Sequence, residues 1–295
     1  MASARDVLRQ IKSVKNLAQV TRAMEAVSAS RMRKAQERTL ASREYASKAR
    51  EVLAFLASQP GASSSHPLLQ ERETIKKALL ILITPDRGLA GALISNILRV
   101  VMRFTTQNPD KQIEVVAIGK KGRDFVVRYG PKLVAEFPNP GDRITAADAR
   151  AISQVAQDDF LSEKYDAVYM IYAEFLGMMA QTPKVLQLLP MKAEPGEQAA
   201  PKEGVSAEYV IEPSPEVVLA ELLPSLVDMQ IYQALLESLS SEHSARMVAM
   251  RAATDNAKSL VEEYQLVYNK ARQTAITSEI LDIVGGAEAL AASGN

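Results

Sequence analysis

The chain has 295 residues, with 35 basic and 35 acidic side chains, no cysteine and no tryptophan. That excludes disulfides and thiolate metal sites, and it leaves room for one large domain or two smaller ones. The net charge of zero hides an asymmetry: residues 1–50 hold twelve Lys and Arg against Asp6, Glu25, Glu37 and Glu44, a surplus of +8 that the remainder offsets with −8.

Such a basic arm suits nucleic acid, an acidic partner protein or a solvated helix face. No apolar run approaches the roughly 20 residues that a membrane-spanning helix needs. "MASARDVLRQ" lacks the apolar core of a secretion signal, which is expected of a bacterial chain without a presequence.

From Arg5 to about Ser58 there is neither Gly nor Pro. Val7, Ile11, Val14, Leu17, Val20, Met24 and Val27 recur at steps of three and four, a spacing below 3.6 that asks for left-handed supercoiling with another helix. The first zone, residues 1–58, is therefore expected to be a coiled-coil helix roughly 80 Å long. "SQPGASSSHP" ends it.

Residues 75–212 read differently. "KKALLILIT" and "QIEVVAIG" are buried-strand runs, followed by the helical patterns "LAGALISNILRVVMRF" and "KKGRDFVVRY". "KLVAEF", the helix "ITAADARAISQVAQDDFLSEK" and the strand "DAVYMIYAEF" continue the alternation. "KVLQLLP" and "EYVIEP" read as closing strands on either side of a Pro/Gly/charge-rich loop. The pattern predicts an α/β domain with a mainly parallel sheet.

The third zone, residues 213–295, is expected to be the second coiled-coil helix, with Pro224 in its first turn. The stripe Met250, Ala253, Ala257, Leu260, Tyr264, Val267 and Ala271 predicts that it pairs antiparallel with residues 1–58. Toward its end, Ile276, Ile280, Leu281, Ile283 and Val284 spread over one broad apolar arc, which something must cover. Gly285 and Gly286 read either as a helix stop or as a thin stretch of helix.

Little in the chain announces chemistry. "TPDRGLAGAL" has two glycines at the wrong spacing for a dinucleotide turn, and "IGKKGRD" lacks the leading glycine and the hydroxyl residue of a phosphate loop. His66 and His243 stand far apart in sequence and read as a surface and a helix-face histidine. Asp86 with Arg87 reads as a loop ion pair, and Asp158 with Asp159 as a solvated helix end. Residues 1–44 contain no aromatic side chain, which argues against single-stranded nucleic acid. No catalytic, cofactor or metal residue is expected.

The segments "IKSVKNLAQVTRAMEAVSASRMRKAQ" (11–36), "TPDRGLAGALISN" (84–96), "GKKGRDF" (119–125) and "LLESLSSEHSARMVAMRAATDNAKSLVEEYQLVYNKARQTAITSEILDIVGGAEAL" (235–290) together make the chain resemble the gamma subunit of F-type ATP synthases. One departure is the loop that the family often writes G-L-C-G-G-L-N, where Ala90, Ala92 and Ile94 stand here.

The resemblance implies a non-catalytic rotor shaft. Its coiled coil would stand inside a hexamer of alpha and beta subunits, and its α/β domain on the c-ring beside epsilon. It implies partner contacts at Met24, Ala90, Arg272, Gln273, Thr277 and Glu279, and an apolar tip at Ile276, Ile280, Ile283 and Val284 turning in a sleeve of the hexamer. It implies membrane association through the complex alone, on the cytoplasmic face of the bacterial membrane. Two alternatives remain at this level: a nucleotide-binding α/β enzyme with a helical hairpin, and a coiled-coil adaptor for nucleic acid.

Overall fold

The computed structural model describes residues 4–57, 66–72, 74–191 and 214–293. The first helix, α1, spans Ala4–Ala57 and the last, α5, Pro215–Ser293. Between them run β1 (Lys77–Ile83), α2 (Leu93–Gln107), β2 (Gln112–Ile118), α3 (Lys120–Tyr129), β3 (Lys132–Phe137), α4 (Ala146–Leu161), β4 (Ala167–Phe175) and β5 (Gln181–Leu189). "EYVIEP" and the loop before it lie outside the described residues.

The sheet has the order β3-β2-β1-β4-β5. The first four strands are parallel, and β5 closes the edge antiparallel to β4. The central strand is apolar at every position but its first, because both of its faces are covered. Leu79, Ile81 and Ile83 pack with Ile152, Ala156 and Phe160 of α4 and with Leu223, Val227 and Ile231 of α5. Ala78, Leu80 and Leu82 point the other way, toward Leu93, Ile97 and Val101 of α2 and Val126 of α3.

Glu114 is the exception in β2, a buried carboxylate. It accepts hydrogen bonds from Tyr165 Oη at 2.5 Å and Lys132 Nζ at 2.9 Å. Those donors hold its pKa below the ordinary carboxylate value, and burial together with the carboxylate pushes the Tyr165 phenol well above its own.

The chain divides into two compact units. One is Met1–Val27 with Met247–Asn295, and the other is Ser28–Arg246. In the first, Thr21 shares a 2.7 Å hydrogen bond with Thr254, and Glu25 pairs with Arg251. Partners rising along α1 fall along α5, so the two helices run antiparallel. In the second, Thr39 and Ser240 share a 3.2 Å bond.

The seam is displaced from the stripes expected above. Among the described side chains of α1 the buried and half-buried seam runs Val7, Ile11, Val14, Ala18, Thr21, Glu25, Ser28, Met32, Ala35 and Thr39, while Leu17, Val20 and Val27 are more than half exposed. On α5 the seam runs Met250, Thr254, Ala257, Val261, Tyr264, Tyr268 and Ala271, and Leu260 and Val267 lie outside it. Both sets keep alternating steps of three and four, so the heptad reading stands; its face does not. Small Ala, Ser and Thr side chains let backbones approach closely, and paired hydroxyls meet each other's hydrogen-bonding needs.

Pro224 is also corrected. It lies inside α5, nine residues after the helix begins at Pro215. A mid-helix proline costs about 3 kcal/mol. Its neighbours Leu223, Leu226 and Val227 are at most 3% exposed, and burying three such side chains offsets that, at about 1.5–3 kcal/mol each.

Candidate functional site

In open α/β sheets, ligands bind outside the carboxyl ends of the strands where strand order reverses. Here that point lies between β1 and β4, and it is filled. The cavity lined by Thr84, Pro85, Ala173, Leu235, Ser238 and Glu242 measures about 10 Å³, room for at most one water.

Helix α5 supplies the filling. Ser241 Oγ donates to the carbonyl of Ala173 at 3.1 Å, and Ser244 Oγ to that of Met178 at 2.7 Å. Arg246 reaches the carbonyl of Gly88 at 3.3 Å and the carboxylate of Glu242 at 2.7 Å. Of the serines in "SLSSEHSARM", Ser238, Ser241 and Ser244 bond to the sheet rim, and Ser240 faces Thr39 of α1. Sequence reading missed this role, and the only signal was a cluster of hydroxyls on an otherwise apolar stretch.

The two glycines of "GKKG" serve the same rim. Gly119 has φ of 90°, and an added Cβ would stand 2.0 Å from the carbonyl oxygen of Thr84; at Gly122 it would stand 2.7 Å from Thr84 Oγ1. Gly122 N–H donates to that hydroxyl at 2.8 Å. Asp86 forms no loop ion pair with Arg87. Its carboxylate accepts the N–H of Lys120 at 2.8 Å, occupying the α3 N-terminus where a phosphate would otherwise sit. The glycines are there for close packing, and no phosphate cradle remains.

His66 is a cap: its Nδ1 accepts the N–H of Leu68 in the short turn Pro67–Leu69. Among the described residues, no three His, Asp or Glu side chains gather as metal ligands. Nor is any described helix long and apolar enough to cross a membrane.

An exposed apolar surface lies at the far end of α5. Every residue from Arg272 to Ala287 is exposed, and Ile276, Ile280, Ile283 and Val284 are 48–71% exposed. Gly285 and Gly286 continue the helix rather than stopping it. Nothing in the described chain covers the apolar arc.

Arg272 and Glu279 fall within about 20° of each other at 100° per residue, with Gln273 and Thr277 about 100° and about 140° further round the helix from Arg272. Thr277 Oγ1 donates to the carbonyl of Gln273 at 2.9 Å. Met24 is half-buried on α1. Ala90 is not a surface side chain. It is 1% exposed and packs with Leu93 and Ile97, because the loop turns at Leu89 (φ 61°) and Gly91 (φ 56°). Leu89, 62% exposed, is what the loop presents instead.

A family model described as ATP synthase matches residues 3–290. The ATP synthase gamma chain of Herpetosiphon aurantiacus is 49% identical, over 98% of this chain and 99% of its own. That of Roseiflexus sp. (strain RS-1) is 48% identical, over 99% of each. Among solved structures, a chain in the central stalk and c-ring of the Tetrahymena thermophila mitochondrial ATP synthase aligns with a TM-score of 0.60 and 27% identity, covering 79% of this chain and 99% of that one. A chain of the Euglena gracilis mitochondrial enzyme has the same fold, with a TM-score of 0.67 at 17% identity, covering 99% of this chain and 96% of that one.

Proposed function

This chain belongs to the ATP synthase gamma-chain family, and on that premise we propose that it is the central rotor shaft of a proton-translocating F-type ATP synthase. It couples rotation of the membrane c-ring to conformational change in the catalytic beta subunits. Its partners are alpha and beta of the hexamer, epsilon and the c-ring. It reaches the membrane only through the complex, on the cytoplasmic face of the bacterial membrane. Phosphate bonds are made and broken on beta; this chain transmits work.

The observation that carries this reading is the uncovered end of α5. Its apolar arc has no cover within the described chain, and an apolar sleeve in the hexamer supplies one. Apolar contact is non-directional, so the tip turns without breaking a fixed set of hydrogen bonds at each step. The filled crevice between β1 and β4 supports the same reading, since it leaves the α/β fold as a body and not as a binding site.

Coupling further requires that each shaft angle contact the beta conformations unequally, because a ligand of equal affinity for two states shifts neither. The polar side chains of Arg272, Gln273, Thr277 and Glu279 and the seam-edge Met24 are the ones we assign to those unequal contacts.

Purification of the native complex through a tag on this chain tests the reading. Alpha and beta are expected in equal amounts, each in excess of this chain, with ATP turnover that drives rotation of a probe fixed to it. Recovery of the chain alone, or with nucleic acid, would overturn it.

A further inference from the structure

Residues 138–145, "PNPGDRIT", cross from β3 to α4. Both ends of this strap are pinned. Asn139 Nδ2 donates to the carbonyl of Thr84 at the end of β1, at 3.0 Å, and its Oδ1 accepts the N–H of Gly141 at 2.8 Å. At the other end, Thr145 and Asp148 form a reciprocal capping box on α4. Gly141 takes φ of 62°, a left-handed turn that glycine adopts without strain.

The turn delivers Asp142 to both long helices. Its Oδ2 meets Arg31 of α1 at 2.9 Å, and its backbone carbonyl accepts from Arg38, seven residues further along α1, at 3.0 Å. Its Oδ1 lies 2.8 Å from His243 Nε2 on α5. One loop residue thus holds three side chains from two helices, and Asn139 ties that loop to the central strand.

A shaft that carries torque must be kept from turning within its own seat. Apolar packing resists separation, but it opposes sliding only weakly because it has no direction; hydrogen bonds have one. We infer that Asp142 is a positioning residue of the rotary coupling, the point at which the α/β body fixes both shaft helices against twist. This inference rests on the rotor reading above. It assigns to one loop the tie that holds both helices at once, where Ser241, Ser244 and Arg246 hold α5 alone and the apolar core of Leu223, Val227 and Ile231 gives no directional hold.

Asp142 is 42% exposed at its side chain and Arg31 is 49% exposed, so the pair adds little to folding stability. That separates a mechanical role from a structural one. In the assembled complex, Asp142→Ala is expected to keep its ATP hydrolysis when detached from the membrane, with a thermal midpoint lowered by the unpaired Nε2–H it leaves on buried His243. Proton pumping per ATP falls by about twofold, and the angular spread of a rotor-bound probe widens. Asp142→Asn, whose amide oxygen still accepts from His243, falls between.

Unchanged pumping and angular spread in Asp142→Ala would overturn the inference. So would losses that Arg31→Gln, which leaves His243 paired, does not share. If the alanine variant does not assemble, Arg31→Gln, which cuts one tie alone, decides by the same two readouts. Failure of the rotor reading itself shows differently, as a wild-type chain that does not rotate.

Discussion

A methyl group at Gly119 would meet a backbone carbonyl at 2.0 Å, whereas at Gly122 the nearest atom is a side-chain hydroxyl at 2.7 Å. Backbone in the centre of a sheet cannot yield as a rotamer can. Gly119→Ala is therefore expected to lose about 2–5 kcal/mol, combining overpacking with a left-handed conformation, and Gly122→Ala about 1–3 kcal/mol. Urea unfolding of the full chain measures both. Equal, small losses would show that Thr84 is not what these glycines accommodate.

His243 makes a second residue-scale case. It is 3% exposed, and its Nδ1 has no partner among the described residues. The carboxylate of Asp142 only accepts, so Nε2 carries the proton of a neutral ring. A second proton would place an N–H at Nδ1 with no acceptor. Burial accordingly pushes the pKa below its ordinary value of 6.5, and outweighs the opposing pull of Asp142 and Glu242; Arg246 adds to the lowering.

The folded state then binds fewer protons here than the unfolded chain. The stabilisation is complete above about pH 6.5 and is lost as pH falls through the depressed folded value. His243→Gln can still donate to Asp142 but cannot titrate, so it should flatten that acid-side slope of the thermal midpoint. A slope that survives the substitution must come from another group.

At the scale of elements, the two long helices show how one periodicity allows neighbouring faces. Val7, Ile11, Val14, Leu17, Val20, Met24 and Val27 and the true seam share their first members, then part at residue 17. Beyond it the seam turns to Ala18, Thr21 and Ser28, and the larger residues face out. Ile11→Ala should cost about 2–4 kcal/mol. Val20→Ser, on the outer face, should stay within about 0.5 kcal/mol in the isolated chain yet weaken recovery of alpha and beta with it. If Val20→Ser destabilised the chain as Ile11→Ala does, the outward face would be the seam after all.

At the scale of the molecule, the exposed end of α5 belongs to an assembly. Arg272 and Glu279 make no ion pair with each other, and both face solvent. Arg272→Ala is expected to leave the folding of the chain within about 0.5 kcal/mol of wild type while coupled ATP synthesis by the complex falls severalfold. Synthesis at the wild-type rate in a fully assembled variant would remove this strip from the contacts proposed above.

What the sequence by itself determined is local or familial. Runs free of Gly and Pro set α1 and residues 225–284 of α5, short apolar runs set the parallel strands, and the terminal segments identified the family. Tertiary structure alone decided which helix face became the seam, because stripes one residue apart have the same spacing and only a partner backbone selects between them. It alone decided that "GKKG" packs on Thr84 and that Ala90 turns inward while Leu89 turns out. It also brought Asp142 to Arg31, Arg38 and His243, residues about 100 positions away on either side. Contacts of that separation have no period to read. They exist only once the sheet has folded and both helices have come to lie against it.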